Sequence, residues 1–175
     1  MKDFIFILIT LSMLFSCDND PDFEHLSTTK KPYTDKQLRI DGYYYWPYEG
    51  RYYSTYFFYR DGTLVNPDGG FDSLQDAENY IKSQFINDND YKKDRVWWGQ
   101  FFIDGTNIKF ERWYIGGTIL SVYFREGTIL NDTTFHITES YRLVEGQKTE
   151  YKTLDETYHF KAFSPKPDST NVFVK

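Results

Sequence analysis

The segment RYYSTYFFYRDGTLV, residues 51–65, decides the fold class of this 175-residue chain. Tyr, Phe and Thr favour β-strands because their side chains pack well on a pleated surface. Asp61-Gly62, near its end, is a residue pair typical of a two-residue hairpin turn. The segment therefore predicts two antiparallel strands, residues 52–60 and 63–66. Residues 47–50, PYEG, predict a turn that separates them from an earlier strand.

The same pattern continues along the chain. Short runs of aromatic and β-branched residues are separated by turn residues at Asp104-Gly105, Gly116-Gly117, Asn131-Asp132 and Glu145-Gly146. Regularly spaced short strands of this kind are typical of all-β proteins. We predict an antiparallel meander that forms a barrel or a sandwich of about eight or nine strands.

One stretch, FDSLQDAENYIKSQF, interrupts the strand pattern. Apolar residues recur there at helical spacing, at Leu74, Ala77, Ile81 and Phe85. Ser73 is a suitable N-cap because its hydroxyl can accept a bond from a free backbone N–H of the first turn. We predict one inserted amphipathic helix over residues 73–86. Its apolar stripe would most simply cover one open end of the β-structure.

The N-terminal segment has the features of an export signal. Residues 4–15 form an apolar run that is too short to span a bilayer but has the length of a signal-peptide core. The run ends in LFSC, and Cys17 is the only cysteine in the chain. This ending resembles the lipobox of bacterial lipoproteins, in which the cysteine becomes the lipidated first residue of the mature chain. The alternative is an ordinary signal peptide with a chance cysteine.

These features divide the chain into three parts. We predict a lipoprotein signal peptide at residues 1–16, lipidated Cys17 with a flexible tether up to residue 36, and a single β-barrel-like domain at residues 37–175. The tether begins with several acidic residues. They resemble the acidic stretch of surface-exposed lipoproteins of Bacteroidota, although a solvated acidic linker is the alternative. We expect a lipid-anchored outer-membrane protein that is surface-exposed or faces the periplasm.

Composition narrows the range of partners. The net charge is −6 and the chain has no basic cluster, which argues against a nucleic-acid partner. Residues 42–60 hold eleven aromatic rings in nineteen positions. Strand alternation places rings on both faces, as expected for a barrel wall with a filled or partly hollow interior. Exposed rings would also suit a platform on which sugars or flat apolar molecules stack.

A longer stretch of the chain carries a second resemblance to known proteins. This stretch is GQFFIDGTNIKFERWYIGGTILSVYFREGTILNDTTFHI. Together with the strand order and the Asp-Gly hairpins, it resembles small lipocalin-like, or more broadly calycin-type, lipoproteins. The phrase G-x-I-x-N-D-x-T-F, which begins at Gly127, is frequent in these proteins. The resemblance covers about residues 37–163, and it implies a barrel with a ligand cavity.

We therefore expect a domain that binds a small apolar molecule or a glycan. The predicted ligand contacts are Trp46, Trp97, Trp98 and Trp113. The alternative is a structural or accessory surface lipoprotein that docks on a protein partner without a ligand. A side-chain-filled barrel would favour docking, and a cavity of several hundred Å³ would favour a ligand.

Catalysis is the poorest of the interpretations. The histidines have no acidic or cysteine neighbours at metal-ligand spacing, and no nucleophile motif or phosphate loop is present. Asp155 and Glu156 are adjacent in a predicted strand, so their side chains point to opposite faces. We predict no enzyme activity, no cofactor and no metal site.

The anchor hypothesis is tested by Cys17→Ser. We expect the variant to leave the membrane fraction or to stay unprocessed, because lipid on Cys17 would be the only stable attachment. Fractionation followed by mass spectrometry of the mature chain measures both effects. Unchanged fractionation together with an unchanged mass would contradict the lipoprotein hypothesis.

Overall fold

The structure is a computed structural model that describes residues 23–116 and 119–175. The signal peptide, Cys17 and the beginning of the tether lie outside the described residues. The described residues form nine strands: β1 (Gly42–Tyr48), β2 (Arg51–Phe58), β3 (Thr63–Val65), β4 (Gly70–Phe71), β5 (Trp98–Asp104), β6 (Asn107–Gly116), β7 (Ile119–Asn131), β8 (Thr134–Val144) and β9 (Gln147–Ala162).

Eight of the strands in the described part of the chain close into a barrel. Their order is β1-β9-β8-β7-β6-β5-β3-β2, and β2 pairs again with β1. Every pairing between strands is antiparallel. The short β4 pairs with β2 beside β3, so it extends the wall without adding a position around the barrel. The predicted all-β class is confirmed, and of the two architectures the chain adopts the barrel.

The predicted turn pairs Asp61-Gly62, Asp104-Gly105 and Glu145-Gly146 lie at tight turns, and Gly117 of the predicted pair Gly116-Gly117 lies outside the described residues. Gly62, Gly105 and Gly146 have φ angles of 89°, 58° and 78°. A side chain would strain the backbone in this left-handed region, which glycine adopts freely. The sequence signals for the hairpins therefore reflect backbone geometry.

The predicted helix is also present. Helix α1 (Leu74–Ile81) is capped by Ser73, whose hydroxyl accepts from the N–H of Asp76 at 3.1 Å. A π-helical turn continues it from Lys82 to Ile86. The helical segment lies between β4 and β5.

Helix α1 covers the outer wall of the barrel, so the expectation that it covers an open end was wrong. Ile81 of the helix and Phe85 of the π-helical turn belong to an outer cluster. This outer cluster contains Tyr43, Phe57, Val65, Ile81, Phe85, Tyr91, Trp98, Trp113, Val122, Phe163 and Val174. The wall here is apolar on its outward side as well as its inward side. That outward surface needs cover, and the helix and the C-terminal tail supply it.

Side chains fill part of the barrel interior. An inner cluster contains Tyr33, Leu38, Tyr44, Tyr56, Phe58, Leu64, Phe101, Ile108, Phe110, Ile129, Phe135, Ile137 and Tyr158. Tyr33 and Leu38 come from the segment before β1, and the N–H groups of Tyr33 and Arg39 bond to Arg60 and Asp132 at one end of the barrel. We call this the closed end. The opposite end, with the β1–β2, β6–β7 and β8–β9 hairpins, is the open end.

The described part of the tether lies along the barrel. The Glu111 carboxylate, on the outer face of β6, accepts from the backbone N–H groups of Ser27 and Thr28 at 2.9 and 3.0 Å. Gln100 donates to the same carboxylate at 2.6 Å. Glu111 is fully buried by these contacts. Residues 23–40 thus run from the open end to the closed end against the wall.

The outer cluster gives a stability prediction. Trp98 is fully buried and stacks on Tyr91, whereas the neighbouring Trp97 is partly exposed. We expect Trp98→Ala to lower the free energy of unfolding by about 3–5 kcal/mol. Trp97→Ala should cost clearly less, about 1 kcal/mol. Thermal and urea unfolding of both variants measures the difference, and equal losses would contradict it.

Candidate functional site

The open end of the barrel holds a cup made of two adjoining hollows. One has a volume of about 440 Å³ and is lined by Tyr53, Asp68, Gly69, Val96, Trp97, Arg112, Tyr114 and Ile115. The other has a volume of about 300 Å³ and is lined by Tyr114, Ile115, Tyr123, Arg125, Ser140, Lys152 and Leu154. Tyr114 and Ile115 stand between the two hollows.

Strand alternation on β6 builds the centre of the cup. Ile108 and Phe110 face inward and belong to the inner cluster. Two residues further on, Arg112 follows on the same face, and Tyr114 follows Arg112. The inward face of β6 therefore changes from apolar to cationic as it reaches the open end.

Gly99 on β5 makes room for Arg112. The two residues are paired across β5 and β6. A Cβ atom on Gly99 would lie 2.7 Å from the Arg112 Cβ and 2.4 Å from the Glu111 carbonyl oxygen. Only glycine fits this close approach without displacing β6.

A β-bulge brings Tyr53 into the cup. Tyr44 pairs with Tyr56, but Trp46 pairs with Tyr53, so β2 carries one extra residue between these pairs. Ser54 has a φ of 47°, in the left-handed region. Unbroken strand alternation would put Tyr53 on the face opposite Tyr56, but the bulge turns Tyr53 to the inner side.

Arg125, which lines the second hollow, has a buried carboxylate partner for its charge, although its Nε has no hydrogen-bond partner among the described residues. It forms an ion pair with Glu156, and both side chains are less than a tenth exposed. The Arg125 Nη1 donates to the Tyr56 hydroxyl at 3.2 Å, and the Tyr158 hydroxyl donates to Glu156 Oε2 at 2.8 Å. The charge of Arg125 is thus balanced inside the barrel.

Arg112 lacks a comparable buried carboxylate, and its Nη1 donates only a long bond, of 3.4 Å, to the Trp113 carbonyl oxygen. Its side chain is 3% exposed, and the nearest carboxylate bond, to Asp68, is 3.4 Å long. The Asp68 side chain is 46% exposed, so water screens its charge. The Arg112 Nε is buried and has no hydrogen-bond partner among the described residues. A buried guanidinium held this weakly is costly, and it leaves donors available at the wall of the first hollow.

The positive charge of Arg112 also affects the aromatic side chains around it. The guanidinium carbon lies 3.6 Å from the centroid of the Tyr114 ring, in a cation–π contact. Burial raises the pKa of the Tyr114 hydroxyl, but the charges of Arg112 and Arg125 outweigh burial and lower it overall. Tyr56, beneath them, has a pKa raised to about 12 by burial. The cup therefore favours a negative charge near Tyr114.

The four predicted tryptophan contacts divide into two pairs. Trp97 lines the first hollow, and half-buried Trp46 lies against Tyr53 with ring centroids 5.9 Å apart. Trp98 and Trp113 belong to the outer cluster and do not line the cup. The Trp113 Nε1–H donates to the Glu24 carbonyl. Predicted lipid acceptor Cys17 lies outside the described residues.

The residues that sequence reasoning missed are Arg112, Arg125 and Tyr114. The sequence does contain a signal for Arg112. Ile108, Phe110 and Arg112 are every second residue of one strand, so Arg112 shares a face with two apolar side chains. A charge in such a position needs an internal partner or a ligand.

Comparisons with known proteins give no family. No protein-family model, no curated protein and no solved structure matches the chain. The resemblance to lipocalin-like lipoproteins stays a prediction. Within residues 23–116 and 119–175, no three His, Cys, Asp or Glu side chains are grouped as a metal site would need. No helix in that part of the chain is long and apolar enough to cross a bilayer.

The two arginines should differ in their effect on stability. Arg125→Met would leave Glu156 buried without its cation, so we expect a loss of about 3–5 kcal/mol in the free energy of unfolding. Arg112→Met removes a poorly partnered buried charge, so we expect a change within about 1 kcal/mol or a gain. Urea unfolding of the two variants measures both values. A loss for Arg112→Met as large as that for Arg125→Met would show that Arg112 is a structural cation.

Proposed function

We propose that this chain is a lipid-anchored β-barrel protein that binds a small acidic molecule with an apolar body in the cup. The observation that carries the proposal is Arg112, a buried cation with a weak carboxylate partner at the wall of a hollow. A ligand carboxylate, sulfonate or phosphate could accept two parallel bonds from its guanidinium.

The shape of the cup suits such a ligand. A hollow of about 440 Å³ is within the range of small-molecule sites. Tyr53, Trp97 and Tyr114 provide aromatic surface on its sides. An apolar body would pack against these rings while its acidic group bonds to Arg112. A neutral apolar molecule or neutral glycan would leave Arg112 with its present weak partners.

The anchor is supported by the sequence. The LFSC ending and the single cysteine favour lipidation at Cys17, and the expected location is the outer membrane. The proposed role is binding, without chemical change of the ligand.

Two dyes with the same ring system separate the contribution of the acidic group to binding from that of the apolar body. 1-Anilinonaphthalene-8-sulfonate carries a sulfonate, and N-phenyl-1-naphthylamine lacks it. We expect both to bind in the cup with a saturable rise in fluorescence. Arg112→Met should weaken sulfonate-dye binding at least tenfold, which corresponds to about 1.4 kcal/mol, and should change binding of the neutral dye less than twofold.

Arg60→Met is the matched control, because Arg60 is exposed at the closed end. It should alter the binding of neither dye. Trp97→Ala should weaken both dyes, since it removes part of the apolar wall. Absence of saturable binding for both dyes would contradict a ligand-binding cup. Equal loss of both dyes in a folded Arg112→Met variant would contradict the acidic ligand while leaving an apolar one.

A further inference from the structure

We propose that the open end of the barrel faces the membrane and that apolar side chains on its hairpins touch the bilayer surface. The inference rests on the lipid anchor at Cys17 that the proposed function includes. It adds an orientation and a contact surface that the anchor alone does not require. The partner is the lipid surface next to the acyl chains of Cys17.

The first argument is the place where the chain joins the barrel. Phe23 forms a parallel bridge with Leu120, and the Glu24 N–H donates to the Leu120 carbonyl at 2.9 Å. The Glu24 carboxylate accepts from the Val122 N–H at 2.7 Å and pairs with Arg142. Leu120 and Val122 begin β7, which starts at the open end. The tether is therefore fixed to the barrel at that end.

The second argument is length. Cys17 and Phe23 are separated by six peptide links, which reach at most about 20–22 Å when fully extended. Strand β7 runs roughly 40 Å from the open end to the closed end, or about 30 Å along the axis of a barrel with ordinary strand tilt. A lipid on Cys17 thus holds the open end near the bilayer and cannot bring the closed end to it while Phe23 keeps its place.

The third argument is the distribution of exposed apolar side chains. Tyr48, Ile115, Leu143, Val144 and Tyr151 are between 37% and 75% exposed, and all belong to hairpins of the open end; we call them the rim. Outside the rim, the large exposed apolar side chains of the described residues are Leu130, at the closed end, and Val172, in the C-terminal tail. Apolar residues gathered at one end, beside a lipid anchor, suit insertion into the bilayer interface.

Charge does not explain the orientation. Acidic residues such as Glu49 and Glu145 and basic residues such as Arg51 and Lys148 both lie on the hairpins of the open end. Mixed signs give little net attraction to an anionic surface. The contact is therefore apolar, and it should form on zwitterionic lipid.

Site-directed fluorescence tests the orientation. In the lipidated mature protein the Cys17 sulfur would carry the lipid, so a cysteine introduced elsewhere is the only free thiol. Val144→Cys places a dye on the rim, and Leu130→Cys is the matched control, since both residues are exposed apolar side chains near hairpin turns at opposite ends. Each labelled protein is bound to phosphatidylcholine vesicles that carry a nitroxide lipid.

We expect the nitroxide lipid to quench the dye at position 144 at least twofold more than the dye at position 130. Iodide in the water should quench in the opposite order. Adding Ile115→Ser to the Val144→Cys protein should reduce the lipid quenching, because it removes the most exposed rim side chain.

Vesicle flotation separates the two proposals. Protein that floats with the vesicles but shows equal quenching at positions 144 and 130, or stronger lipid quenching at 130, would overturn the orientation and leave the anchor intact. Protein that does not float would overturn the anchor, and the orientation with it. Dye binding to the cup tests the ligand independently in either case.

Discussion

Aromatic packing on both sides of one barrel wall is the constraint on which the rest of the structure depends. Tyr44, Tyr56 and Phe58 pack inward, while Tyr43 and Phe57 pack outward. A wall that is apolar on both faces must be covered on both faces, since exposed aromatic area is costly in water. The inner side is covered by the residues that fill the barrel, and the outer side by helix α1 and the C-terminal tail. The dense aromatic run is thus chiefly structural.

The cup lies where this packing ends. At the closed end, residues before β1 complete the inner cluster; at the open end, β6 and β7 extend beyond it and their inward side chains become polar. Arg125 and Glu156 form a balanced pair with tyrosine hydroxyls at the boundary. Arg112 has no such balance, although Gly99 leaves space for it. A buried cation without a buried carboxylate partner, held at a specific position, is a candidate for binding an anionic group.

Much of the fold could be predicted from the sequence because its signals are local. Turn pairs such as Asp104-Gly105 and the cap at Ser73 reflect backbone geometry within a few residues. The bulge at Ser54 could not be predicted, because it depends on how β1 and β2 pair. Trp98 and Trp113 could not be separated from Trp97 by type alone, since their burial depends on helix α1 and on residues 23–28. The special role of Arg112 depends on the distance to Asp68, which is far away in sequence.

The segment that crosses the closed end has a kinetic consequence. Tyr33 and Leu38 pack into the inner cluster there, so among the described residues the barrel is covered at this end and the cup lies at the other. If the open end of the barrel faces the lipid surface, as proposed, a bound molecule leaves the cup into the bilayer before it meets bulk water. Its residence time would then depend on how readily it dissolves in the membrane, and the protein would exchange cargo by partition between two phases.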